Sequence, residues 1–215
     1  MSTYILTSMF QTGFPDALVS ELRRVIPQAA RFAFVASEFE KLHEKTDKYF
    51  QRFLGMFPAC SIEFSDAVVV DGRMTREEAQ TAVKAADVVW LSGGDTPTQY
   101  TYFEKYGLID VLRAHEGIVI GMSAGAINMA ETAVCTVACG HDRQYMYPAL
   151  GLVPFSVEPH LNDFGVMEEH RVLSETRVIY GLCDEAAIVF EGETVKYIGD
   201  VFKIAGGAAE QISFA

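Results

Sequence analysis

Short apolar runs recur along the first half of the chain, each followed by a stretch with helical spacing. Residues 4–8 and 31–36 read as strands, and residues 61–70 hold another. Between them, Phe14, Leu18, Leu22 and Val25 recur on one face of a helix over 14–25. Residues 39–56 predict a long amphipathic helix carrying Leu42, Tyr49, Phe50 and Phe53. Thr75-Arg76-Glu77-Glu78 has the form of a capping box opening a helix that runs through Ala86. Residues 87–91 form an apolar strand ending at Ser92-Gly93-Gly94. Helices follow over 97–106 and 109–115, and then the apolar run Gly117-Ile118-Val119-Ile120.

Strands that are apolar without alternation are buried on both faces, and strands alternating with helices indicate a parallel sheet. Its crossovers should be right-handed, with sites beyond the carboxyl ends of the strands. After residue 130 the pattern changes. Residues 134–138 and 151–157 read as extended, 164–175 as helix and 177–182 as strand. Residues 186–191 and 195–198, joined by Gly192-Glu193-Thr194, resemble a hairpin. No boundary of composition divides the chain. Residues 1–215 are therefore expected to form one α/β domain, a doubly wound, mostly parallel sheet with helices on both faces and an antiparallel C-terminal hairpin.

Half the residues are apolar, as in an ordinary globular protein, and the formal net charge is −12. That charge argues against nucleic acid and anionic membranes as partners. No apolar run reaches the roughly 18 residues of a membrane span, and no signal-peptide pattern begins the chain. Cys60, Cys135, Cys139 and Cys183 lie in or beside apolar segments. They read as free thiols of a cytoplasmic protein, with no ligand spacing for a metal.

The chemistry centres on Gly121-Met122-Ser123-Ala124-Gly125, a Gly-x-Ser-x-Gly turn between a buried strand and a helix of small residues. Such a nucleophile elbow exposes the serine hydroxyl at the end of the sheet. A serine hydroxyl needs a base, and the base needs an orienting group. His160, in Glu158-Pro159-His160, follows an apolar strand and is the favoured base. His141 is its competitor, and His43 and His115 lie in charged helical surroundings expected at the surface. Asp184 and Glu185 end the strand over 177–182, and either could accept the imidazole N–H. The order serine, histidine, carboxylate is not that of an α/β-hydrolase, which disfavours a lipase or esterase. An oxyanion hole needs two backbone donors. Ala124 N–H is one candidate and the Gly93-Gly94 loop offers the other.

Leu91-Ser92-Gly93-Gly94-Asp95-Thr96, Gly121-Met122-Ser123-Ala124-Gly125-Ala126, Glu158-Pro159-His160 and Gly181-Leu182-Cys183-Asp184-Glu185 together resemble the dipeptidase E and cyanophycinase family of serine peptidases. The resemblance implies a flavodoxin-like fold related to class I glutamine amidotransferases. It implies Ser123 as nucleophile, His160 as base, Glu185 as acid, and Gly94 and Ala124 as oxyanion donors. The implied reaction is hydrolysis of short peptides, Asp-X among them, through an acyl-enzyme without metal or cofactor, by a monomer or homodimer. Asp95, Thr96 and Arg171 are the corresponding candidate substrate contacts. The chain departs from family habit at Asp95 and Pro97, and at Met167-Glu168-Glu169-His170-Arg171-Val172, where aspartyl dipeptidases carry Gly-His-Lys-Gly. The alternatives are a hydrolase of another acyl bond, such as an ester or a cyanophycin-type isopeptide, and an inactive binding protein on the same scaffold.

Overall fold

The computed structural model describes residues 2–212. In chain order the first half holds β1 (Thr3–Thr7), α1 (Asp16–Val25), β2 (Arg31–Val35), α2 (His43–Leu54), β3 (Asp66–Val70), α3 (Arg76–Ala85), β4 (Val88–Leu91), α4 (Thr96–Lys105), α5 (Leu108–Arg113), β5 (Ile118–Met122) and α6 (Ala124–Met129). The second half holds β6 (Thr132–Cys135), β7 (Tyr145–Pro148), β8 (Ser156–Glu158), α7 (Leu161–Phe164), α8 (Glu168–Leu173), β9 (Ile179–Leu182), β10 (Ala187–Glu191), β11 (Thr194–Ile198), β12 (Val201–Ala205) and β13 (Ala208–Gln211).

The main sheet has seven strands in the order β11-β10-β1-β5-β4-β2-β3. The strands from β1 to β3 in that order are mutually parallel, and the β10–β11 hairpin adds antiparallel to β1. The unbroken apolar strands have a direct cause. Ile5, Phe34, Trp90 and Ile120 enter a core on one face, while Leu6, Val35, Leu91 and Val119 enter a second core on the other. On the first face Trp90 packs against Phe53 of α2, with ring centroids 5.1 Å apart. Leu18 and Leu22 of α1 join the same core. On the opposite face Val83 of α3, Phe103 of α4, Leu112 of α5 and Met129 of α6 close the other. Fully burying one such side chain contributes about 1.5–3 kcal/mol, so the two faces rather than any one helix stabilise the sheet. The capping box at Thr75 and Glu78 forms as the sequence indicates.

The structure departs from the sequence reading in several elements. Helix α2 starts at His43 because the Glu38 carboxylate accepts N–H groups of Lys41 and Leu42, closing the preceding turn. Phe39, freed from the helix, is fully buried and stacks on Tyr102 at 4.9 Å. The helix expected over 164–175 is two short helices, α7 and α8, separated by Gly165 at φ 67°. Residues 151–157 contribute only β8, and β7, β12 and β13 were not anticipated. These strands build a separate four-stranded sheet, β13-β12-β9-β8, and a two-stranded one, β6-β7. Among the described residues no helix is long and apolar enough to cross a membrane.

Candidate active site

The carboxyl ends of β1, β4, β5, β8 and β9 converge on one point. Strand β5 is buried throughout and ends at Met122; Ser123 follows with φ 51° and ψ −112°. A non-glycine residue held there stores about 1–3 kcal/mol of backbone strain and persists only where its surroundings fix it. Here the Ser123 N–H donates to the Thr7 carbonyl at 2.9 Å, and the Thr7 hydroxyl donates to the Gly121 carbonyl at 3.0 Å. The helix behind the serine lies hard against β4. A Cβ on Gly125 would fall 2.2 Å from the Leu91 carbonyl oxygen. The small residues of the elbow are thus the means by which strand and helix approach closely enough to present the hydroxyl.

Ser123 Oγ lies 3.0 Å from His160 Nε2, and His160 Nδ1 lies 3.0 Å from Asp184 Oδ1. With Nδ1–H donated to the carboxylate, Nε2 is left as an acceptor for the serine proton. His160 and Asp184 are each about three-quarters buried as side chains. His160 itself is left-handed, at φ 60° and ψ 30°, which turns its ring back toward the elbow. Two residues before it, Glu158 is fully buried and accepts the Thr136 hydroxyl at 2.6 Å, anchoring the end of β8.

The carboxylate on the imidazole is Asp184, not Glu185. Glu185 is exposed at φ 67°, and its N–H donates to the Met9 carbonyl at 2.7 Å. That backbone tie sends the two adjacent side chains apart. Asp184 is held in turn, its N–H donated to Asn162 Oδ1 at 2.7 Å. The other histidines stand away from the elbow. His141 approaches Tyr145, His43 faces Asp71 at 3.2 Å, and His115 is buried rather than at the surface, its pKa lowered by that burial.

Ser8, absent from the sequence reading, completes the cluster. Fully buried just past the end of β1, its hydroxyl donates to Asp184 Oδ1 at 2.7 Å and accepts the His160 N–H at 2.8 Å. It also lies 3.3 Å from His160 Nδ1. The available signal was its place, a polar residue closing an apolar strand at the sheet's carboxyl end. Removing a hydrogen bond to a charged group costs about 1.5–3 kcal/mol. Ser8→Ala is therefore expected to lower kcat roughly tenfold to a hundredfold with KM little changed, as steady-state kinetics would register.

The loop after β4 borders the serine: a Cβ on Gly93 would come within 3.3 Å of the Ser123 Cβ. Gly94 has φ 153°, and a Cβ there would sit 2.1 Å from Ser37 Oγ, so only glycine fits. Ala124 opens α6, where the first N–H groups have no partner within the helix. The first turn of α6 and the Gly93-Gly94 loop thus lie beside the serine. A cavity of about 270 Å³ opens from Ser123 and Gly94 toward α2. Asp95 lines it while capping α4 through the Thr98 N–H at 2.9 Å. Thr96 does not line it, because positions 96, 99 and 103 form the buried stripe of α4; Thr98 takes that place instead. Arg171 does not reach it either: its guanidinium donates to the Gly207 carbonyl at the β12–β13 turn. Among the described residues no cluster of three or more His, Cys, Asp or Glu side chains is placed to hold a metal ion.

A hydroxyl on an imidazole backed by a carboxylate has the arrangement of a serine triad, here on a doubly wound α/β sheet. The model of peptidase family S51 matches residues 15–198, and the chain belongs to that family. Peptidase E of Shewanella sp. (strain MR-4) is 28% identical over 151 residues, 61% of this chain and 61% of the relative. The chain thus spans less than two thirds of that relative's length. The probable alpha-aspartyl dipeptidase of Drosophila melanogaster is 28% identical over 166 residues, 66% of this chain and 67% of that one. In fold, the chain is similar to the crystal structure of a peptidase from an acI-B1 Actinobacterium, with a TM-score of 0.73 and 17% identity over 99% of this chain and 94% of that one. A putative peptidase E protein from Listeria monocytogenes EGD-e gives a TM-score of 0.65 and 18% identity, over 99% and 100%.

Proposed function

We propose that this protein is a serine-type peptidase that hydrolyses short peptides through an acyl-enzyme. The observation that carries the reading is the continuous chain from Ser123 Oγ to His160 Nε2 and from His160 Nδ1 to Asp184 Oδ1, each link 3.0 Å. Membership of peptidase family S51 and the likeness to a peptidase E support it.

Ser123 Oγ attacks the scissile carbonyl carbon while His160 Nε2 takes its proton. The carbonyl oxygen becomes an oxyanion held by the N–H groups of Gly94 and Ala124, donors fixed in place before charge develops there. Asp184 stabilises the imidazolium and keeps its ring oriented without taking the proton. The C–N bond then breaks, His160 protonates the leaving amine, and the acyl group stays on Ser123. Water, deprotonated by His160, attacks the ester carbonyl and releases the acid, and the proton returns to Ser123. The strained elbow holds the hydroxyl ready, so little reorganisation is needed at the moment of attack. The four cysteines are all thiols, which suits a reducing cytoplasm, and a short peptide is the partner that the small cavity admits.

Incubation of the purified protein with a dipeptide library is expected to release free amino acids. Rapid quench with a slow substrate should add the mass of one acyl group to the peptide containing Ser123. Turnover of small aryl esters with no dipeptide cleaved would reassign the protein to another acyl hydrolase.

A further inference from the structure

We propose that the cavity beside Ser123 receives a neutral, apolar substrate side chain and rejects an acidic one. The proposal rests on the peptidase reading above for the placement of substrate, and it concerns which side chain fits.

The cavity is small. Its volume of about 270 Å³ lies below the roughly 300–1,000 Å³ of pockets for drug-sized ligands, so it holds a residue-sized part of the substrate. Met9, Phe34, Leu42, Tyr49 and Met122 supply its apolar walls. Leu42 stands at the lip with 44% of its surface exposed, where an entering side chain would cover it.

The charges on the lining run against an acidic guest. Two carboxylates face this cavity, Glu38 and Asp95, against one ammonium, Lys45. Both carboxylates are fixed. Glu38 accepts the Tyr102 hydroxyl at 2.8 Å as well as backbone N–H groups, and Asp95 is bound to the Thr98 N–H. Burial pushes the Glu38 carboxyl up, but the bonds from Lys41, Tyr102, Glu40 and Leu42 outweigh it and hold the group below the usual carboxylate range. Lys45 is exposed and lies 5.7 Å from the centre of the Tyr49 ring, where water screens it. No arginine fork lines the cavity among the described residues, and a carboxylate has no bidentate partner there. Asp95 is exposed and screened as Lys45 is, so the half-buried Glu38 is the like charge that a dehydrated acidic side chain would meet, whereas an apolar one would lose nothing polar.

The test separates this proposal from the peptidase reading by measuring binding on a variant that cannot turn over. Calorimetry on Ser123→Ala would compare Leu-Ala and Phe-Ala with Asp-Ala, and Ala-Leu with Ala-Asp. At the position that enters the cavity, the apolar dipeptide is expected to bind at least tenfold more tightly than the acidic one. Adding Leu42→Arg, which sets a guanidinium at the exposed lip, should narrow that ratio at least fivefold. Tighter binding of the Asp dipeptide overturns the proposal, as does equal or undetectable binding of all of them, or a preference that Leu42→Arg leaves unchanged. Hydrolysis of the same dipeptides by the unaltered protein is scored separately. Discrimination in binding without any hydrolysis would sink the peptidase reading and leave the cavity's preference standing.

Discussion

Ser123→Ala is expected to abolish labelling by a fluorophosphonate and to lower kcat on a cleaved dipeptide by about a millionfold, the scale on which a serine triad fails when its nucleophile is removed. The size follows from the geometry. Ser123 is the only side-chain hydroxyl in contact with His160 Nε2 among the described residues, so no other side chain can take its place. Alanine keeps the backbone at φ 51°, because the strain there is imposed by the Thr7 bond and the packing of α6 against β4. The variant should therefore match the parent in circular dichroism and thermal unfolding. Labelling that survives the substitution would remove Ser123 from the reaction.

Asp184→Asn is expected to lower kcat about ten-thousandfold, while Glu185→Gln changes it less than about threefold. An amide at position 184 keeps the shape but presents the wrong partner to Nδ1–H, so the imidazole loses the tautomer that accepts a proton at Nε2. Glu185 points to solvent from a backbone tied to Met9, and nothing in the site depends on its charge. Steady-state kinetics of the two variants on one dipeptide decides between them. A larger loss from Glu185→Gln would restore the acid implied by the family resemblance.

What the sequence made legible divides along physical lines. The elbow could be read because its signal is local: two glycines and a serine between an apolar strand and small residues. The parallel sheet could be read because strands buried on both faces leave no alternation. His160 stood out as an imidazole directly beyond a strand and a proline. Choosing between Asp184 and Glu185 was beyond reach, since the choice turns on a positive φ at residue 185 and a hydrogen bond from a distant strand. Ser8 was invisible for the same reason, its partners lying 152 and 176 positions away. Thr96 and Arg171 were singled out by chemical type, but helix phase and the β12–β13 turn decide where they point. The Gly206-Gly207 turn of that hairpin was a readable sign of the strands that were missed.

The groups that meet at Ser123 come from segments spread from residue 8 to residue 184, and from two different sheets. During synthesis the chain emerges from its amino end, so the elbow exists before its base and well before its acid. A growing chain that ends ahead of β9 lacks Asp184, and β8, which leads to His160, lacks the strand it pairs with. If the protein works as proposed, a chain or fragment that stops before that strand has an incomplete site and should hydrolyse nothing.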